Sequence, residues 1–195
     1  MKRVKYFLGL VLAFVFLSTG MLHSQNHVIS HKEKRTLEHL RKKKNSKSDR
    51  SLSRAYYAQL LQKKYFVFTA DFAMNDEGYT FVTDPEINFL SVIGNKFTFQ
   101  FGKNGRMGWN GVGGVTLHGR VVNYKFIPGT RKKGMTLTSD AQMDGPISPP
   151  HFVLYVSDDG TAQLNLTLGN GEMFNFSGRI FSPQNSGVYE GSSLF

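Results

Sequence analysis

From Tyr65 to Phe181 the chain alternates apolar and polar residues with a period of two, and glycine beside aspartate or asparagine cuts that alternation at short intervals. A period of two lets each segment bury one face only, which fixes the segments as strands. Phe66, Phe68, Ala70, Phe72 and Met74 alternate in this way with Val67, Thr69, Asp71 and Ala73. Asp76-Glu77-Gly78 turns the chain into Tyr79 to Thr83. Ile87 to Ile93 and Lys96 to Phe101 are joined by Gly94-Asn95, a two-residue loop suited to a primed hairpin turn. Thr116 to Ile127 is long enough to cross a sheet and bend, with Gly119 marking a bulge or a close approach. Met135 to Met143, Phe152 to Val156, Ala162 to Leu168 and Met173 to Phe181 follow, the last three separated by Asp158-Asp159-Gly160 and Gly169-Asn170-Gly171. No stretch long enough for a crossover helix interrupts them, which excludes a parallel α/β fold. Consecutive hairpins predict an all-β protein: an antiparallel up-and-down, lipocalin-like β-barrel over residues 65–195, preceded by a short N-terminal helix.

The faces of these strands divide the functions open to such a barrel. Asp71, Thr98, Gln100, Gln163, Asn165 and Thr167 suit water and not lipid, so an outer-membrane barrel is excluded. Phe66, Phe68, Phe72, Phe97, Phe99, Phe101, Phe174 and Phe176 are expected to point inward, where they either fill a small barrel or line a cavity for an apolar or amphipathic small molecule. Register decides between the two.

The N-terminal part carries different signals. Residues 1–24 combine Lys2, Arg3 and Lys5 with the apolar run Tyr6 to Leu17 and small residues through Ser24, the three-part plan of a secretory signal peptide. Cleavage is expected near Ser24-Gln25, which predicts an exported chain, periplasmic or extracellular. The formal net charge of +10 is unevenly placed: +3 in residues 1–24, +9 in 25–64 and −2 in 65–195. The basicity therefore belongs to a lead-in, residues 25–64, and not to the barrel. Within it Leu52, Tyr56 and Leu60 recur at helical spacing behind a Ser51 cap, predicting a short amphipathic helix. Arg41-Lys42-Lys43-Lys44 reads either as a solvated face or as a contact, through residues 26–64, with an anionic envelope surface such as lipid head groups or acidic polysaccharide. The folded part has no basic-plus-aromatic face, so nucleic acid is not an expected partner.

Motifs for chemistry are sparse. Without cysteine there are no disulfides, thiol nucleophiles or iron–sulfur clusters. His118 and His151 are the histidines of the folded part, and no spacing of them with carboxylates predicts a metal site. No cofactor is predicted. The glycine-rich loop Gly102 to Gly114 lacks the Gly-Lys-Ser/Thr of a phosphate loop and the helix that would follow one. Its glycines read as a kinked connection needing positive φ, or as a mobile lip at a barrel mouth. No catalytic residue is assigned, and a hydrolase ranks last because the Gly-x-Ser-x-Gly elbow is absent. The candidate ligand-binding residues are Trp109 and Arg106 in the loop, His118, Arg120 and Tyr124 on the long strand after it, and Phe99 before it.

Asn88-Phe89, Gly94, Gln100, Gly102, Gly111 to Thr116, Gly119, Asn123-Tyr124-Lys125, Gly160-Thr161-Ala162, Gly178 and Val188-Tyr189-Glu190-Gly191 stand in an order and spacing that resembles the domain-of-unknown-function family numbered 4251, exported proteins of Bacteroidetes. The resemblance runs from about Lys63 to the C-terminus. It implies a lipocalin-like barrel and a secreted or cell-envelope location, and it brings no activity and no catalytic residues. Two readings of function follow: an exported barrel binding an apolar or amphipathic small molecule, or an envelope interaction or scaffold protein with a filled barrel and no ligand.

Overall fold

The computed structural model describes residues 31–74, 77–102, 110–130, 133–145 and 148–192. The predicted signal segment, Arg106 and Trp109 lie outside the described residues. The chain divides into two compact units at Lys44/Asn45. In the first unit, residues 34–44 are helical and exposed throughout.

Helix α1 (His31–Gln62) is much longer than the predicted one. No glycine or proline occurs between His31 and Gln62, so nothing breaks it. Ser51 is not its cap but an interior residue, its hydroxyl donating to the Ser48 carbonyl at 2.7 Å. The helix ends where Lys64 takes a left-handed conformation at φ 53°, its amide donating to the Leu61 carbonyl at 3.1 Å.

Strands β1 (Tyr65–Met74), β2 (Thr80–Val82), β3 (Phe89–Ile93), β4 (Lys96–Phe101), β5 (Val115–Ile127), β6 (Met135–Met143), β7 (His151–Val156), β8 (Thr161–Thr167) and β9 (Met173–Phe181) follow. From β3 to β9 each pairs antiparallel with the next, β3 lies beside β1, and β9 returns to β1. An eight-stranded barrel of β1 and β3–β9 thereby closes, with β2 attached to the upper part of β1 alone. Positive φ at Gly94, between the paired Ile93 and Lys96, makes the β3–β4 hairpin a primed turn. Gly119 sits in regular pairing, and a Cβ there would stand 2.3 Å from the Gln142 carbonyl oxygen, so close approach is its reason. The bulge of β5 falls instead at Asn123, φ 53°, between Val122 and Lys125.

A second bulge corrects the expected register of β1. Phe66, Phe68 and Ala70 face inward, then the pairing with β9 skips Asp71. Past the skip Ala73 is buried and Phe72 is turned out, 45% exposed. An extra residue in a period-two strand exchanges its faces, and the sequence pattern gives no sign of it.

The lower half of the barrel is solid. Phe66, Leu90, Val92, Met135, Leu137, Phe152 and Leu154 have no accessible surface beyond 0%, so no water-sized space touches them. Phe97 stacks on Phe152 at 5.6 Å between ring centroids. Towards the upper end Phe99, Phe101 and Phe174 gather around Phe176 at 5.8–6.4 Å. The end of α1 closes the base: Leu61 is fully buried in the core, and the Tyr124 hydroxyl donates to its carbonyl. Arg54 donates to Asp158 and to the Pro128 carbonyl. A Cβ on Gly160, φ 84°, would stand 2.3 Å from the Tyr57 ring, so glycine is required there twice over.

Candidate functional site

The outward residues of β1, β3, β4 and β5 should be wet, yet Val67, Thr69, Phe89, Ser91, Thr98, Gln100 and Thr116 are all buried. Their cover is the chain after β9. Residues 182–192 include a 3-10 turn, Pro183–Asn185, beside β1, and reach Asn110, whose carbonyl accepts from the Ser192 amide at 3.1 Å. Gln100 holds this strap. Its Nε2 donates to the carbonyls of Ile87 (3.0 Å) and Tyr189 (2.8 Å), and its Oε1 accepts from the Thr116 hydroxyl (2.9 Å) and the Gly191 amide (2.8 Å). Asn110 extends the chain of bonds, donating from Nδ2 to Thr116 Oγ1 at 3.0 Å, while its Oδ1 accepts the amides of Val112 and Gly114. The glycines at 111 and 113 both take φ 76°, the kinked connection expected of this part of the loop. Tyr189 stays 64% exposed, so its main chain, and not its aromatic ring, ties it to Gln100.

Below the strap an open groove of about 680 Å³ runs along the β4–β5 ladder, lined among others by Ser91, Asn95, Lys96, Thr98, His118 and Arg120. Asp144 and Glu190 bring carboxylates to it. Lys96 and Arg120 are direct cross-strand partners. Partners in that position have Cβ atoms about 5 Å apart, and like charges there repel. Among the described residues neither is in an ion pair, whereas His118 Nε2 meets Glu190 Oε1 at 2.7 Å. Lys64 Nζ donates to Asn95 Oδ1 at 3.0 Å and lies 4.9 Å from the Tyr124 ring centroid.

The structure divides the predicted ligand-binding residues. Phe99 is inside the barrel, and Tyr124 lies against the core at the base, where burial pushes its phenol well above the usual value. His118 and Arg120 are outside, in the groove. Arg106 and Trp109 lie outside the described residues. Sequence reasoning missed Lys96, Asp144, Glu190 and Gln100. The Lys96–Arg120 pairing depends on the β4–β5 register, which a long loop leaves open.

Other concave surfaces are also external. One of about 670 Å³ includes Phe72, Lys133, Tyr155 and Gln163, and one of about 400 Å³ includes Arg50, Ser53 and Asp158. On β6 and β7, Asp140 accepts from Asn123 Nδ2 (2.7 Å) and meets His151 Nδ1 (2.6 Å), bonds that hold its carboxyl below the usual range. The neighbouring hydroxyl, Ser139, is buried and donates to the main-chain carbonyls of Val122 (2.8 Å) and Asp140 (3.0 Å). Among the described residues no group of three His, Asp or Glu side chains could hold a metal, and no helix is long and apolar enough to cross a membrane.

The sequence profile of a domain of unknown function, DUF4251, matches residues 49–180. The chain belongs to the DUF4251 family. A crystal structure of a DUF4251 family protein from Bacteroides eggerthii has the same fold as this DUF4251 chain. The two superpose with a TM-score of 0.53 at 24% identity, covering 67% of this chain and 88% of that one. No curated protein matches. The profile begins within α1, four residues after the unit boundary, and stops at Ile180, before the strap.

Proposed function

We propose that this DUF4251 protein is an exported, non-catalytic interaction protein, a filled barrel that works through its outer surface and is held at an anionic layer of the envelope by its basic helix. The observation that carries this reading is the interior: rings and branched side chains with no accessible surface fill the lower half of the barrel, and Phe99, Phe101, Phe174 and Phe176 gather above them. The helix supports the second part. Residues 34–44 are exposed on every side and carry Lys34, Arg35 and the run Arg41 to Lys44 against Glu38, and basic charge of this kind adds roughly 1 kcal/mol per residue near an anionic surface.

The test is sedimentation of the mature chain, from Gln25, with vesicles of phosphatidylcholine alone or mixed with phosphatidylglycerol. The chain is expected to bind the mixed vesicles at low salt, and to lose binding when Arg41, Lys42, Lys43 and Lys44 are all changed to Gln. Equal behaviour with both vesicles overturns the anionic-surface reading, and so does binding that survives the substitution. A stoichiometric apolar molecule retained in native mass spectra overturns the filled barrel.

A further inference from the structure

The groove beside the strap carries an inference that does not depend on the helix. Lys96 and Arg120 stand opposite each other across β4–β5, both exposed, with no ion pair to either among the described residues. Two like charges in direct register with no ion pair to either weaken a ladder, and either one could be exchanged for a neutral residue without disturbing the buried face beneath. Neither side chain contributes to the core, where Phe97 and Gly119 hold the inner register. His118 lies two residues from Arg120 on the same face and opposite Thr98, adding a third nitrogen-bearing side chain, while Ser91, Thr98 and Asn95 offer hydroxyl and amide groups. The groove's acids are placed differently: Glu190 belongs to the strap and is already engaged with His118, and Asp144 follows β6.

We propose that this groove binds the oxyanion group, phosphate or carboxylate, of a small polar molecule. The Lys96 ammonium and the Arg120 guanidinium receive the anion, and the strap forms the opposite wall. An anion between the two cations converts their repulsion into attraction, which gives the pair a reason to stand where it does. Glu190 opposes the ligand, both by its own charge and by occupying His118.

The experiment is an amide and side-chain NMR titration of the mature chain at low salt, with inorganic phosphate in one arm and succinate in the other. A saturable response at Lys96, Arg120 and His118 is expected, and the arm that saturates at lower concentration identifies the anion. The Lys96→Gln, Arg120→Gln double variant should weaken that response at least tenfold. Its melting temperature should be unchanged or about 1–3 °C higher, because a repulsive pair has been removed. Glu190→Gln should tighten binding several-fold. The proposal is overturned if neither anion saturates, if the double variant binds as well as the parent, or if that variant melts several degrees lower, since the charges would then be structural. These substitutions leave α1 and its basic residues unchanged, so failure here and failure of the surface reading are separable.

Discussion

Replacing Gln100 by Ala should detach the C-terminal strap without opening the barrel. The side chain is 0% exposed and uses all four of its hydrogen-bonding positions, two toward the barrel (the Ile87 carbonyl and Thr116 hydroxyl) and two toward the strap (the Tyr189 carbonyl and Gly191 amide). At about 0.5–1.5 kcal/mol net for each bond, the gross loss is about 2–6 kcal/mol. The upper end is out of reach, because a lifted strap lets water satisfy Tyr189 and Gly191 and so limits the loss to the free energy of docking. The strap's other ties include the Tyr189 amide to the Glu86 carbonyl (2.8 Å), the Ser192 amide to the Asn110 carbonyl (3.1 Å), Gln184 to the Tyr65 hydroxyl and Glu190 to His118 (2.7 Å). Losing the four Gln100 bonds, two of which are central ties of the strap, should therefore cost about 2–4 kcal/mol in urea unfolding.

Equilibrium unfolding alone would not separate strap loss from a simple core defect, so the second measurement is amide hydrogen exchange. The amides of Gly191 and Ser192 should exchange at least about tenfold faster in the variant, while those of β7 and β8, far from the strap, keep their protection. Gln100→Leu keeps the volume and removes the polar atoms, and it should behave as Gln100→Ala does. If either variant loses less than about 0.5 kcal/mol with Gly191 and Ser192 still protected, Gln100 does not hold the strap and the argument fails.

Two further perturbations test other parts of the fold. Gly160→Ala combines a left-handed φ of 84° with a Cβ 2.3 Å from Tyr57, and should lower stability by more than the ~1 kcal/mol that the backbone conformation alone costs; in a Tyr57→Ala background only that backbone part should remain, and an unchanged cost would show that the ring yields freely. The Asp140 carboxyl is held below its ordinary 3.8 by the bonds from Asn123 and His151, so its stabilising contribution is present above that value and disappears as pH falls through the lower folded one. The difference in melting temperature between the parent and Asp140→Asn should therefore shrink on acidification from about pH 5 to 2, and a difference that grows instead would reverse the sign of the argument.

What could be read from the sequence is what depends on neighbours along the chain. The alternation from Phe66 to Ala70 and from Phe97 to Phe101 placed those rings correctly, because period two is a property of consecutive residues. The same rule failed at Phe72, where one extra residue in β1 relative to β9 turned the ring outward, and pairing across the barrel leaves no mark in the β1 sequence. The groove shows this limit most clearly. His118 and Arg120 were singled out together because they are two residues apart on one strand, but their side of the sheet, and Lys96 as the partner of Arg120, follow from a register set across the loop after β4. Glu190 reaches His118 from 72 residues away because Gln100, whose polar side chain suited an outward position, is buried by the strap it binds. An outward glutamine on a strand therefore carries two meanings that alternation cannot separate, a solvated surface or a covered one. Here the deciding fact is the chain that follows β9, whose residues 182–192 lie back across β1, β3, β4 and β5.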